Sequence, residues 1–269
     1  MVQHGTLRGG HVAAPGQHQR RVVVQAPGAD HPVVAGQPLG GGVQSAQAAH
    51  HRDPPVAEVG ALPFLRSSGV PTVLLDRFAD VPLDQVAPEN EDATAVLTEH
   101  LADLGHRRIA MVSGLRGLHS TTERLAGYRR VVRARGLDDD PALVLAGGSD
   151  VATAERAVLD HLTAGHRPTA LVIGNNAMTI GSMKALRRLR LRIPEDVALV
   201  CYDDFEWADL FEPRLTAIAQ DVQAMGTRAV SMMVDRISDP ERPFRQERTT
   251  PRYQHRTSCG CPDPDGRRA

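Results

Sequence analysis

The sequence predicts an α/β fold in which parallel sheets are flanked by helices, and three observations predict it. From Gly69 onward, short apolar runs alternate with segments of helical periodicity. The runs are apolar at consecutive positions, as strands covered on both faces require. Polar residues gather just past the carboxyl ends of the runs, where open α/β sheets bind ligands.

Taken in order, Gly69–Asp76 opens with a short strand that ends at Asp76 and Arg77. Glu91–Leu104 carries Ala93, Val96, Leu97, Leu101 and Leu104 in a helical stripe, with Gly105 placed to close it. A strand over Arg108–Ser113 follows. Ser120–Glu123 fits a capping box, and the helix it would open carries Leu125, Tyr128, Val131 and Val132 before Gly136. The cycle repeats with a strand over Ala142–Ala146, a helix over Val151–Thr163, a strand over Thr169–Ile173, a helix over Met178–Leu189 and a strand over Val197–Tyr202. Strands joined through helices imply right-handed crossovers and parallel pairing. After Pro213 come a strand over Leu215–Ala219, a long helix over Val222–Ile237 and a ragged tail.

The residues just past the strands are Ser113 and Gly114, Gly147–Asp150, Asn175 and Asn176, and Asp203 and Asp204. Such residues can cap the next helix by accepting from its free amide groups. Asp150 and Ser113 suit that role. Asn175 and Asp203 are assigned instead to a ligand, because a convergent polar edge is the default site of this fold. Only three asparagines occur in the chain, and two of them stand together here. Carboxylate and amide groups beside an aromatic ring suit a hydroxyl-rich ligand, with the indole of Trp207, the only tryptophan, covering apolar C–H surface. Packing on Phe211 is the alternative for Trp207. Arg124, in the first turn of its helix, would add a forked donor. Micromolar affinity needs about −8 kcal/mol, and three or four charge-assisted bonds at roughly 1.5–3 kcal/mol each reach that before ordering costs.

Composition bounds the function. Net charge is −1, so no global basic field would hold nucleic acid. Three cysteines do not make a secreted disulfide scaffold, and neither a leader-like start nor a membrane-length apolar run is present, so a cytoplasmic protein is expected. Residues 1–60 lack isoleucine and all aromatic residues and are rich in glycine, proline, glutamine and histidine. They read as a poorly ordered extension or as the product of a shifted frame. His4, His11 and His18 recur every seven residues without a second ligand cluster, and Cys259-Gly-Cys261 is a C-x-C in a polar tail with no partner in sequence, so no metal and no cofactor is expected. The acids Asp203, Asp204, Glu206, Asp209 and Glu212 could supply a glycosidase pair, but their spacing puts several of them on different faces of a short helix, and no nucleophile elbow or phosphate loop occurs. No catalytic residue is assigned, and an enzyme is not expected.

Several stretches resemble the lactose/galactose repressor (LacI/GalR) family of bacterial transcription regulators. They are Glu99-His-Leu-Ala-Asp-Leu-Gly-His-Arg-Arg-Ile-Ala110, Glu123-Arg-Leu-Ala-Gly-Tyr128, Arg167-Pro-Thr-Ala170, Ile193-Pro-Glu-Asp-Val197, Tyr202-Asp-Asp204 and Pro213-Arg-Leu-Thr216. They recur in order, and the resemblance covers roughly residues 64–258. It implies a two-lobed sensor with a periplasmic-binding-protein-like fold, in which an effector in the interlobe cleft biases lobe closure. On it, Arg124, Asn175 and Asp203 match the positions that usually hold the effector, and Trp207 lies close by.

The same resemblance implies three crossings between lobes, near Ala87–Glu91, Ala217–Asp221 and Thr249–Gln254. Residues 61–88 and 222–248 then form a partial N-terminal lobe, residues 89–221 and 249–258 a complete C-terminal effector-binding lobe, and residues 259–269 a disordered tail. Nothing in residues 1–60 matches the family's DNA-reading headpiece, so no DNA-binding residue is assigned and specific operator binding is expected only of a full-length relative. The expected partners are a sugar-like effector and a second copy of the chain, with no membrane. Two other readings stay open: a stand-alone sugar-binding protein of a transport system, and a carbohydrate-active enzyme.

Overall fold

The computed structural model describes residues 67–262, together with the backbone of two short antiparallel strands, β1 (Val23–Val24) and β2 (Val33–Val34). The expectations for the rest of residues 1–60, the three histidines included, and for residues 263–269 lie outside the described residues.

Two sheets organise the described chain. The smaller takes β3 (Val73–Leu75), β4 (Asp84–Pro88) and β10 (Gln246–Thr249) in the order β10-β4-β3, all parallel. The larger takes β5 (Ile109–Ser113), β6 (Val144–Ala146), β7 (Ala170–Ile173), β8 (Ala198–Tyr202), β9 (Thr216–Ala219) and β11 (Arg252–Gln254). Its order is β11-β9-β8-β7-β5-β6, parallel except where β11 runs against β9. The expectation of parallel pairing therefore holds for every strand of this sheet but its last edge strand.

Helices cover both faces of the larger sheet, and the strand pleat explains the consecutive apolar residues. Ile109 and Met111 of β5 pack with Leu97 and Leu101 of α1 (Asn90–Asp103) and Tyr128 and Val132 of α2 (His119–Ala134). Their neighbours Ala110 and Val112 point the other way, onto Val158 and Leu162 of α3 (Val151–Thr163) and Ala185 and Leu186 of α4 (Asn176–Arg188). The central strands β5, β7 and β8 thus each feed two cores at period two. The helix pairs sit close because two glycines allow it. A Cβ on Gly127 would lie 2.1 Å from the carbonyl oxygen of Glu91, and one on Gly181 would lie 2.3 Å from that of Val151.

The smaller sheet packs on α5 (Val222–Ser238), where Met225, Met232 and Met233 meet Val73, Leu75 and Val86. The fully buried Asp84 fastens this unit. It accepts from Nε of Arg236 (3.0 Å), from Arg242 (2.8 Å) and from the backbone amide of Arg245 (2.9 Å).

Several local expectations are corrected. The helix predicted from Ser120 begins at His119, Leu118 is its N-cap, and no side chain caps it, so the capping box is not made. Its Glu123 turns instead to Asn90 and Arg248, a tertiary pull that outweighs a local bond. The strand predicted from Ala142 begins at Val144, because Asp140 caps a 3₁₀ turn over Pro141–Leu143. The ragged tail contributes β10 and β11, and beyond them Cys259 is buried against the α1–α2 core.

Candidate functional site

The strand order β6-β5-β7-β8-β9 reverses direction between β5 and β7, which makes their carboxyl ends a topological switch point with a crevice outside it. Arg124 lies at that crevice. Its Nε donates to Oδ1 of Asn90 (2.8 Å), and a terminal nitrogen donates to the carbonyl of Gly174, just past β7 (2.6 Å). Its guanidinium carbon stands 3.6 Å from the ring centroid of Tyr202, and the same terminal nitrogen is 3.9 Å from a carboxylate oxygen of Asp203. Arg124 belongs to the second turn of α2 rather than the first, since the helix starts at His119. It is 8% exposed, so its charge is held by these partners more than by water.

Asp203 directly follows β8 with φ of 71°, and Asp76 directly follows β3 of the other sheet with φ of 65°. The left-handed region is strained for most side chains, although Asp enters it more easily than most. Strain of this kind at two strand ends points towards function. Gln220 donates its amide hydrogen to Asp203, leaving its own buried Oε1 without a partner among the described residues. Asp76 also has a buried oxygen, Oδ1, with no hydrogen-bond partner among the described residues. Burial pushes the Asp76 carboxyl up to about 6; the Arg124 guanidinium opposes that shift and the Asp203 carboxylate adds to it.

Asn175 takes the capping role that the sequence reading set second to ligand contact. Its Oδ1 accepts from the amide of Met178 (2.7 Å), making it the N-cap of α4, and its amide nitrogen donates to the carbonyl of Ser149 at 3.4 Å. Asp150 caps α3 as expected, accepting from Thr153. Trp207 is linked to Phe211 through Phe205. It meets Phe205 edge-on at 5.5 Å, Phe205 in turn meets Phe211 at 5.8 Å, and the indole stays 57% exposed. Trp207 and Phe205 line a cavity of about 210 Å³ with Asn176, Ala177 and Ile180 of α4. Asp204 turns away to a two-point ion pair with Arg256 (2.8 and 2.9 Å).

The structure thus brings Arg124 and Asp203 together, sets Asn175 beside them as a helix cap, and leaves Trp207 at an apolar hollow next to α4. Sequence reasoning missed Asp76, Asn90, Tyr202 and Gln220 as members of the cluster. Asp76 and Tyr202 stand at strand ends, which is the signal that could have found them.

A second layer supports Arg124. The amide of Asn90 donates to Glu123 (2.9 Å), and Arg248 of β10 donates to the same carboxylate while lying over the ring of Phe78 at 4.7 Å. Burial works against the charge of Glu123, but the bonds from Arg248 and Asn90 hold its carboxyl below the usual range. This network carries residues of the smaller sheet's segments onto α2.

Comparisons with known proteins agree on the architecture. The family described as "Periplasmic binding protein-like domain" matches residues 98–259. The HTH-type transcriptional repressor PurR of Vibrio campbellii is 34% identical over 181 residues, covering 62% of this chain and 54% of the repressor. The chain therefore spans about half the length of the curated relatives it matches. Among solved structures, a complex of the transcriptional regulator CelR with cellobiose superposes with a TM-score of 0.68 at 30% identity, covering 72% of this chain and 60% of that one. A LacI family transcriptional regulator from Mycobacterium smegmatis gives 0.66 at 26% identity, covering 73% of each chain.

Proposed function

Because the chain belongs to the periplasmic-binding-protein-like family, as the effector-binding region of a LacI family regulator, we propose that Arg124 and Asp203, with Asn175 and Trp207 beside them, bind a sugar-like effector between the two sheets. In this reading the six-stranded sheet and its helices, residues 89–221 and 249–258, are the effector-binding lobe. Residues 61–88 and 222–248, which include β3, β4, α5 and all of β10 but its last residue, are the partial N-terminal lobe. Effector binding shifts the relation between the lobes and so controls DNA reading in the whole regulator. The regulator works in the cytoplasm as a homodimer. The relatives matched are transcriptional regulators, which supports a sensor over a hydrolase or a transport protein.

One observation carries the proposal: polar atoms from both sheets converge at the switch point with their hydrogen-bonding capacity partly unused. Asp76 Oδ1 and Gln220 Oε1 are buried without hydrogen-bond partners among the described residues, and Asp203 accepts from Gln220 while facing Arg124. Buried polar atoms left this way cost free energy, and a ligand rich in hydroxyls would recover it by donating to the free oxygens. The cellobiose held by the CelR relative has that chemistry. A thermal-shift screen over mono- and disaccharides, followed by calorimetry on any hit, tests the proposal. Asp203→Ala should abolish the shift, and a shift that survives this substitution removes Asp203 from the site.

A further inference from the structure

A second constellation lies at the opposite end of the larger sheet. His100 stands in the last turn of α1, His255 directly follows β11, and Cys259 and Cys261 follow within the same closing segment. One ligating atom from each of these four residues can be chosen so that all lie within 4.8 Å of one another. The sulfur of Cys261 is 3.7 Å from Nε2 of His100. A tetrahedral ion with bonds of about 2.3 Å to sulfur and about 2.0–2.1 Å to nitrogen sets such a pair roughly 3.6 Å apart. That pair is at bonding separation already, and the other pairs lie within 4.8 Å.

The surroundings hold the four residues in place. Ser258, fully buried, donates its hydroxyl to the carbonyl of Leu199 (2.6 Å) and accepts from the amide of Thr216 (2.8 Å), pinning the segment to β8 and β9. Cys259 is 1% exposed and sits in the α1–α2 core. The rings of His100 and His255 meet edge-on at 5.1 Å, and Tyr253 stacks on His255 at 6.0 Å. Nε2 of His255 is out of solvent and has no hydrogen-bond partner among the described residues. A buried imidazole nitrogen left unpaired costs free energy, which a metal bond would remove.

We propose that His100, His255, Cys259 and Cys261 form a closed structural Zn2+ site that clips the closing segment of the chain to the end of α1. Two thiolates and two imidazoles suit a borderline-soft ion, no carboxylate belongs to the set, and four protein ligands leave no open position for catalysis. Binding is redox-neutral. Each cysteine loses its proton to solvent, that of Cys259 from a thiol lying 3.3 Å from the Arg256 carbonyl, and two metal–sulfur and two metal–nitrogen bonds form. The site is remote from the polar edge that holds Arg124 and Asp203, so it stands or falls independently of effector binding.

The test uses the full chain, purified under reducing conditions and stripped with a chelator. Co2+ as probe should bind one per chain, with the intense visible bands of tetrahedral coordination and a near-ultraviolet thiolate charge-transfer band, and Zn2+ should displace it. Zn2+ should also raise the unfolding midpoint, and chelator should return it. Cys261→Ser and His255→Gln, both at half-buried positions, should remove the charge-transfer band or weaken it. They should cut Zn2+ affinity by more than about 100-fold, beyond the effect of outer-shell replacements. Unchanged Zn2+ affinity in both variants overturns the site. So does an octahedral spectrum without thiolate bands, or a Cys259–Cys261 disulfide in protein that takes up no metal after reduction.

Discussion

Arg124 lies over the ring of Tyr202, its guanidinium carbon 3.6 Å from the centroid, and that stacking aims the fork at the carboxylate of Asp203 on the next residue. The aromatic ring covers a face of the guanidinium, and the bonds from Nε to Asn90 and from a terminal nitrogen to Gly174 fix its orientation. A pre-set donor loses little freedom when a ligand arrives.

Lysine cannot reproduce this geometry. Arg124→Lys should keep the fold, because it retains a long cation among the same partners, yet lose the stacked fork. Calorimetry with the best sugar from the screen should show affinity down by roughly 10- to 150-fold, the equivalent of one charge-assisted bond of about 1.5–3 kcal/mol. An affinity within about twofold of the parent removes Arg124 from the site.

Asp76 makes stability depend on pH in an unusual direction. Its folded pKa of about 6 lies above the ordinary value of 3.8 because burial penalises the charged form. Its stabilising contribution is therefore complete below about pH 4 and lost as pH rises through 6. The shift corresponds to on the order of 2–3 kcal/mol. Asp76→Asn, which is neutral at every pH, should be more stable than the parent at pH 7.5 and lose that advantage at pH 4. Urea unfolding at the two pH values checks this, and a difference between variant and parent that does not change with pH contradicts it.

The Asp84 cluster should dominate the stability of the smaller sheet. Asp84→Ala leaves the guanidinium of Arg236, 6% exposed as a residue, without its carboxylate. Loss of one partner of a buried pair costs about 3–5 kcal/mol. The midpoint of urea unfolding should fall accordingly, and a loss below about 1 kcal/mol would mark the pair as replaceable.

Two glycines in helices should respond oppositely to alanine. Gly127→Ala forces a methyl group against the Glu91 carbonyl and should lower stability by about 1–3 kcal/mol. Gly226 of α5 has nothing within 4 Å of an added Cβ. Gly226→Ala should raise stability by about 0.5–1 kcal/mol through helix propensity alone. Thermal unfolding of both variants reads the contrast.

Trp207 offers a direct optical report. It is the only tryptophan and is 57% exposed, so its emission in the free protein should be that of a wetted indole. A sugar settling beside it should blue-shift and change that emission in a saturable titration. Trp207→Phe should bind the same sugar without the optical signal. Binding seen by calorimetry with no change in parent emission would place Trp207 outside the site.

Much of the larger sheet was legible because its signals are local. Val151–Thr163 reads as a helix from its own periodicity and its Asp150 cap, and the structure agrees residue for residue. β10 was invisible for the opposite reason: Gln246–Thr249 is a polar strand of alternating exposed and partly buried residues, held by parallel pairing to β4 that no local apolar run announces. The capping box at Ser120 failed because Glu123 found Asn90 and Arg248, and those partners come from distant segments. The C-x-C motif looked partnerless for the same cause, since His100 reaches it only through the folding of the closing segment onto α1.

By itself, then, the sequence determined the alternation of strands and helices, the apolar runs that feed two cores, and the polar strand ends that include Asn175 and Asp203. Those are properties of short windows, set by backbone periodicity and by the need to bury apolar surface. Tertiary structure alone decided that Asn175 spends its oxygen on a helix cap, that Asp76 from the other sheet shares the field of Arg124 and Asp203, and that two histidines meet two cysteines. These relations depend on register and close packing between elements far apart in the chain, where a shift of a few ångströms makes or breaks a hydrogen bond.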